Sequence, residues 1–188
     1  MNHKYETTHP WITFSFDVNR MLDSRIWLLL GEAGSKCEHI KGAPLLPHVM
    51  QSFYNVYLAK GALATTAIEG NTLTESEVEK RIQGQLVLPP SKEYLGKDID
   101  NILAAINLIG KQTLNTRSQL AEKLSIEGLQ EYNRLVLTGL PIDENVTPGL
   151  IRTYPVTIAT YRGAPPEDCV YLLNRYVNWL NNEFNALS

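Results

Sequence analysis

The stretch around which this sequence is organised reads Ala64-Thr65-Thr66-Ala67-Ile68-Glu69-Gly70-Asn71-Thr72-Leu73-Thr74. Residues four apart on a helix lie one above the other, so Thr65 and Glu69 are expected to present a hydroxyl and a carboxylate side by side. Gly70 is a natural helix end, because the residue at that place often takes a positive φ. The pattern therefore predicts a helix that ends at Glu69.

The position of Glu69 is electrostatically unusual. The C-terminal end of a helix carries partial negative charge, so a glutamate there is disfavoured by about 0.3–1 kcal/mol. One interpretation is a solvated side chain before a glycine turn, which is the commoner case. The other is a carboxylate that faces a cationic group supplied from elsewhere, and the local pattern leaves both open.

A second helix is expected directly after this turn. The sequence Thr74-Glu75-Ser76-Glu77 has the pattern of a capping box, in which the side chains of the first and fourth residues bond to each other's backbone amides. This pattern predicts a helix from Thr74 to Gln83, which Gly84 ends.

Apolar residues recur at helical spacing through most of the remaining chain and predict a mainly α-helical protein. Residues 150–161 differ, because they are rich in β-branched and aromatic residues, and they predict a small β-hairpin. Residues 1–16 are expected to form an irregular arm across the helices, with apolar side chains alternating from Ile12 to Phe16. The other main helices are expected at about 24–41, 48–69, 92–109, 125–138 and 165–182.

Composition excludes several classes of protein. The chain has 188 residues, of which 44% are hydrophobic and 20% charged, as in an ordinary globular protein of one domain or two small ones. A net charge of −3 without a basic block argues against nucleic-acid binding. Cys37 and Cys169 indicate reduced thiols in a cytoplasmic protein, and neither a signal peptide nor a membrane-spanning run is evident.

The central stretch also resembles a known motif. Thr65-x-x-x-Glu69-Gly70, followed by Asn71-Thr72-Leu73-Thr74, is similar to the inhibitory-helix motif of Fic proteins, Ser/Thr-x-x-x-Glu-Gly/Asn. Together with further matches, the resemblance covers most of residues 45–188. The segments that resemble the front half of a Fic domain are Thr147-Pro148-Gly149-Leu150-Ile151-Arg152, Val156-Thr157-Ile158, Ala164-Pro165-Pro166 and Tyr176-Val177-Asn178-Trp179-Leu180-Asn181.

The resemblance implies a Fic-like helical bundle with a small hairpin. Residues 1–112 then form an N-terminal helical region with the inhibitory helix at about 48–69, and residues 113–188 form the front part of a Fic domain. The implied activity is transfer of AMP from ATP, with Mg²⁺, to a hydroxyl of a protein target or of the enzyme itself. Thr65, Glu69 and Gly70 are the implied regulatory residues. Whether the protein forms a homodimer is left open.

The hairpin carries a second implied role. In Fic proteins it is called the flap and aligns the target by adding a strand to the hairpin edge, so that main-chain hydrogen bonds bind the target. The implied docking residues are Arg152, Thr153, Val156, Thr157 and Ile158. The alternative is a purely structural hairpin that covers the helices.

The catalytic Fic motif, His-Pro-Phe-x-x-Gly-Asn-Gly-Arg, does not occur in these residues. Its histidine is the base and its glycine-rich turn holds phosphates, whereas His3, His9, His39 and His48 begin no such pattern. We therefore expect no catalytic residue among these residues. The sequence is then either a truncated Fic protein or a natural non-catalytic relative. The alternatives are an antitoxin-like interaction module that regulates a separate catalytic chain, and a plain helical scaffold. No spacing predicts a metal site.

Overall fold

The computed structural model describes residues 3–15, 23–115 and 123–184. This part of the chain is mainly α-helical with a small two-stranded sheet, as predicted, whereas Phe16 lies outside the described residues. The helices are α1 (Tyr5–Thr8), α2 (Ser24–Lys41), α3 (Pro47–Ile68), α4 (Glu75–Ile82), α5 (Glu93–Asn115), α6 (Ile126–Leu137) and α7 (Cys169–Asn178). The strands are β1 (Thr157–Ile158) and β2 (Tyr161–Arg162), and short 3₁₀ or π segments cover Pro90–Lys92, Pro166–Asp168 and Trp179–Phe184.

The chain divides into two compact units, one of residues 15–54 and the other of the remaining residues. The smaller unit contains α2, which begins after Asp23 because that side chain accepts a hydrogen bond from the Arg25 amide at 2.8 Å. The large apolar side chains of α2, among them Trp27 and Leu28, are exposed. The expected division after residue 112 stays a prediction, although α5 continues to Asn115.

The core of the larger unit lies where the C-terminal half of α3, α4 and α5 meet. Small side chains on α3 let the other helices approach closely, and branched side chains fill the space between them. The buried residues of this core are Ala59, Ala62, Leu73, Val78, Leu95 and Ile99.

An ion-pair cluster ties α4 to α5. The Arg81 guanidinium donates two hydrogen bonds to the Asp100 carboxylate, from Nε at 3.0 Å and from Nη2 at 2.7 Å. These bonds raise the pKa of Arg81 above its usual range. Gly96 leaves room for this side chain, because a Cβ there would lie 2.9 Å from the Arg81 Cζ.

The hairpin is shorter than the expected range of 150–161, because its strands span only 157–158 and 161–162. Two features keep the preceding segment out of the sheet. The Arg152 guanidinium donates to the backbone oxygens of Tyr154 and Ala164, and Pro155 has no amide hydrogen to donate to a ladder.

The N-terminal arm, residues 3–14, lies against the hairpin and the start of α7. The buried Asp168 carboxylate accepts a hydrogen bond from the Tyr5 amide at 2.8 Å and pairs with the His3 ring at 3.0 Å. Lys4 forms an ion pair with Glu167 at 2.8 Å. The expectation of an arm across the helices is met, although α1 adds one helical turn to it.

Within the described ranges, no helix combines the length and the apolar character that crossing a membrane would require.

Candidate functional site

The end of α3 forms the turn that the central stretch predicts. Gly70 has φ +93°, its amide donates to the Ala67 oxygen at 3.1 Å, and the Asn71 amide donates to the Thr66 oxygen at 3.0 Å. This pair of bonds is the Schellman arrangement, which satisfies carbonyl groups at a helix end. The helix itself ends at Ile68, one residue earlier than expected.

The side chain of Asn71 anchors this turn to α5. Its amide nitrogen donates to the Leu95 backbone oxygen and to the Asp98 carboxylate, both at 2.9 Å, and its oxygen accepts from the Leu73 amide at 3.1 Å. Asn71 is 8% exposed, so these bonds supply the partners that a buried amide needs. The local sequence indicates Asn71 only as part of a motif, because its anchoring contacts depend on residues 24 and 27 positions away.

The predicted capping box at the start of α4 is confirmed. The Glu77 amide donates to the Thr74 hydroxyl oxygen at 3.3 Å, and the Glu77 carboxylate accepts from the Thr74 amide at 2.7 Å. Hydrogen bonds from the Thr74 backbone and side chain lower the pKa of the Glu77 carboxyl. The turn that carries Glu69 is therefore followed at once by a well-capped helix.

Thr65, Glu69 and Gly70 line one surface cleft of about 740 Å³. Its other walls come from α5, including Asp98, and from residues 136–142. Glu69 is exposed, and among the described residues its carboxylate makes no hydrogen bond or ion pair. The cleft thus brings the three predicted regulatory residues together at a surface.

The cleft is acidic. Glu69 and Asp98 contribute carboxylates, and none of the described residues that line it is basic. A cation is therefore the complementary partner by charge. By the same reasoning the cleft by itself does not fit the triphosphate of ATP, because it has no basic side chain to balance phosphate charge.

The predicted docking residues lie apart from this cleft, since none of them lines it. Thr153, Thr157 and Ile158 are exposed, whereas Arg152 and Val156 are half-buried. Arg152 uses its guanidinium to bond the two backbone oxygens that shape the base of the hairpin. Its observed contacts are therefore structural.

Beneath the hairpin base is an apolar pocket of about 490 Å³. The arm, α6, residues 149–152 and α7 line it, with Phe14 and Leu172 among the contacts. Cys169 also faces it, and burial raises the pKa of the Cys169 thiol.

His9 contributes a contact that sequence analysis did not identify. Its ring is 2% exposed, with Nε2 at 2.9 Å from the Arg162 backbone oxygen and Nδ1 at 2.7 Å from the Thr8 hydroxyl. His9 and Arg162 are 153 positions apart in the sequence, so no local pattern could have indicated their contact.

In the ranges that the structure covers, no group of three His, Cys, Asp or Glu side chains has the arrangement of a metal site.

No protein-family model matches this chain. Over 162 residues it is 25% identical to Protein adenylyltransferase fic-1 of Caenorhabditis elegans, and equally to the protein of that name in Caenorhabditis briggsae. Each alignment covers 86% of this chain and 30% of the relative, so the chain spans less than a third of the length of these curated proteins. The chain is therefore similar to Fic-type protein adenylyltransferases, at low identity.

Proposed function

We propose that these residues form the regulatory and target-docking part of a Fic-type protein adenylyltransferase. The observation that carries the proposal is Glu69, an exposed carboxylate at the wall of an acidic cleft within the motif Thr65-x-x-x-Glu69-Gly70. The similarity to two proteins named adenylyltransferases supports it. The complete protein transfers AMP from ATP to a hydroxyl of a protein target.

Glu69 is the inhibitory group in this proposal. A carboxylate at a helix C-terminus gains nothing from its own helix, and the Asp98 carboxylate lies in the same cleft. An arginine from the catalytic motif would offset part of this negative charge. While Glu69 holds that arginine, the arginine is not available to the ATP phosphates, and a small misplacement of reacting groups lowers a rate by orders of magnitude.

The two segments of the chain have different roles in this proposal. Residues 1–112 supply the inhibitory helix, and residues 113–188 supply the flap with Arg152, Thr153, Val156, Thr157 and Ile158. ATP contributes the AMP group, and Mg²⁺ accompanies it in the complete protein. Because the described cleft has no basic side chain, we assign no phosphate contact to it.

A second candidate is a non-catalytic module that offers its helix and hairpin to a separate catalytic chain. The exposed Glu69 carboxylate, in a cleft that has no basic side chain among the described residues, favours it, because a partner chain could supply the cation. A cytoplasmic location, supported by the free thiols of Cys37 and Cys169, and a homodimer are further proposals.

One experiment separates the two candidates. A longer polypeptide that continues the reading frame is incubated with α-³²P-labelled ATP and magnesium, with and without a cell extract as the source of targets. Transfer of label to protein by the longer polypeptide supports the enzyme. The module is supported instead by two results together: the longer polypeptide lacks the motif and transfers no label, and it inhibits a separate Fic enzyme.

A further inference from the structure

Helix α2, in the smaller unit, carries large apolar side chains that are exposed to solvent. Trp27, Leu29 and Leu30 are 51%, 63% and 58% exposed, and none of the 18 residues of this helix is buried. Most of the stability of a protein helix comes from packing of its apolar face, and Gly31 and Gly34 lower the helix propensity of α2 further. The exposed side chains of α2 therefore call for a partner.

The apolar residues of α2 recur along one side of the helix, at alternating intervals of four and three positions. This spacing is the a/d pattern of a helix that packs lengthwise against a second helix. The stripe, as we call this set, consists of Ile26, Leu30, Ala33, Cys37 and Ile40. Leu28 and Ser35 lie on the opposite face of α2, because each residue turns the helix by about 100°.

Large and small side chains are segregated along the stripe. Ile26 and Leu30 occupy its first half, whereas Ala33 and Cys37 follow in the second half. A second copy of α2 in the antiparallel direction lays the large half of one helix over the small half of the other. Ile26 then lies against Cys37 of the other copy and Leu30 against Ala33, and two-fold symmetry repeats both contacts.

The flanks of the stripe are complementary in the same arrangement. Trp27 of one copy lies beside Gly34 of the other, where no atom is within 4 Å of a Cβ built on the glycine, so there is space for the indole. On the other flank, Leu29 lies beside Lys36, whose alkyl stem covers apolar surface while its ammonium group stays in water. Lys36 also pairs with Glu32 of its own helix at 2.6 Å, so its charge keeps a partner.

The exposed apolar area is of the size that a dimer needs. Since Trp27, Leu29 and Leu30 are each more than half exposed, the stripe and its flanks offer roughly 400 Å² of apolar surface per copy. A standard interface buries about 800 Å² per partner, of which somewhat more than half is apolar. A second copy of the same helix is therefore sufficient to cover the stripe.

We propose that two copies of this chain associate through the stripe of α2, with the two helices antiparallel and Ile26 of each against Cys37 of the other. This inference rests on the proposed function for the homodimer named there, and it supplies the surface of that homodimer. Association through α2 requires neither ATP nor the catalytic motif. Because each copy presents the same patch to the other, the contact closes at two copies.

Two leucines of α2 provide matched substitutions in the 188-residue chain. Leu30→Glu places a charge within the stripe, whereas Leu28→Glu places the same charge on the opposite face, at a residue that is 72% exposed. Sedimentation equilibrium without ATP should give twice the mass of one chain for the parent and for Leu28→Glu. For Leu30→Glu the Kd of the dimer should rise at least about tenfold, because a charge in the contact would lose its water without gaining a partner.

Cysteine cross-linking tests the register of the two helices in a Cys169→Ser background. Ile26→Cys should form a disulfide-linked dimer under mild oxidation, through Cys37 of the other copy. Cys37 alone should form none, because the two copies of Cys37 would lie roughly 16 Å apart along the pair, beyond the reach of a disulfide. Ser35→Cys, on the opposite face, is the control and should also form none.

A parent chain that stays monomeric at about 100 µM overturns the proposal, since stable dimers have a much lower Kd. A dimer that Leu30→Glu leaves intact also overturns it, because the homodimer would then use another surface. If Leu30→Glu does not fold, the cross-linking decides: equal yields from Ile26→Cys and Ser35→Cys, or a dimer through Cys37 alone, contradict the assigned contact. Labelling with α-³²P-ATP is measured separately, so a failure of AMP transfer is distinguished from a failure of this association.

Discussion

Asn71 donates a hydrogen bond from its side-chain amide to the Leu95 backbone oxygen over 2.9 Å, and so ties the turn that carries Glu69 to α5. Replacing Asn71 by alanine leaves the buried Leu73 amide without its acceptor. We expect a loss of about 1–3 kcal/mol in the free energy of unfolding, the cost of an unsatisfied buried group. Chemical denaturation of the 188-residue chain measures it.

The exposed neighbour Thr72 provides the control for this change. Thr72→Ala alters the same turn without touching the anchor, so its free energy of unfolding should stay within about 0.5 kcal/mol of the parent. Equal losses in the two variants would show that the Asn71 contacts do not hold the turn.

Gly70 allows a second test of the turn, because its φ of +93° is a conformation that side chains with a Cβ rarely adopt. No atom lies within 4 Å of a Cβ built there, so Gly70→Ala tests backbone strain without a steric clash. We expect a destabilisation of about 1–2 kcal/mol. Gly110→Ala is the matched control, because Gly110 lies within α5 with equally open space, and there alanine should stabilise by about 0.5–1 kcal/mol. Similar effects of both changes would contradict the assigned turn.

These elements also show how far the sequence could predict the fold. Thr74 was expected to cap a helix, and its side chain accepts from an amide within the next three residues, as do those of Asp23 and Ser125 at the starts of α2 and α6. Such caps depend on neighbours in the chain, so local patterns are sufficient. The contacts of Asn71 with Leu95 depend on how α3 packs against α5, which no local pattern encodes.

The hairpin illustrates the same limit at the candidate site. The composition of residues 150–161 indicates β-strands, but the residues that face an outer edge are set by the register between the strands. Val156, one of the implied docking residues, belongs to the pair bonded within the hairpin, because its backbone oxygen accepts from the Gly163 amide. Thr157 is the residue whose amide faces outward.

The capping box predicts a pH dependence. The pKa of Glu77 is lowered in the folded protein by hydrogen bonds from Thr74, so its contribution to stability is present above the unfolded pKa and is lost as pH falls through the folded value. Glu77→Ala should therefore lower the Tm at pH 7, and the difference from the parent should shrink as the pH falls below about 4.5, the ordinary value for this carboxyl. Glu79→Ala on the same helix serves as the control, and a Tm difference for Glu77→Ala that is constant with pH would contradict the role of the charge.

The 188 residues by themselves should transfer no AMP. They contain neither the histidine base nor the phosphate-binding turn of the catalytic motif, and the acidic cleft cannot replace them. Incubation with α-³²P-labelled ATP and magnesium should leave the chain unlabelled, with an active Fic enzyme as the positive control. Robust self-labelling would show that the missing motif is not needed.

Glu69 itself is tested in a longer polypeptide that includes the catalytic motif. Glu69→Gly removes the carboxylate from the acidic cleft and frees the arginine of the motif for the ATP phosphates, so AMP transfer should rise. The helix-propensity cost of glycine is up to about 1 kcal/mol and is smaller at a helix end, where Glu69 lies. Radiolabel transfer and the midpoint of urea denaturation measure the two effects separately.

Glu69→Gln separates charge from size, because glutamine keeps the shape and helix propensity of glutamate. If the carboxylate inhibits by pairing with a cation, the glutamine variant should show partial activation, between the parent and Glu69→Gly. Thr72→Ala, three positions away on the surface, should leave transfer unchanged. Should both Glu69 variants fold and transfer no more AMP than the parent, Glu69 is not an inhibitor. Its place at the end of α3 would then be that of an ordinary solvated side chain, stable there because water screens the partial charge of the helix end.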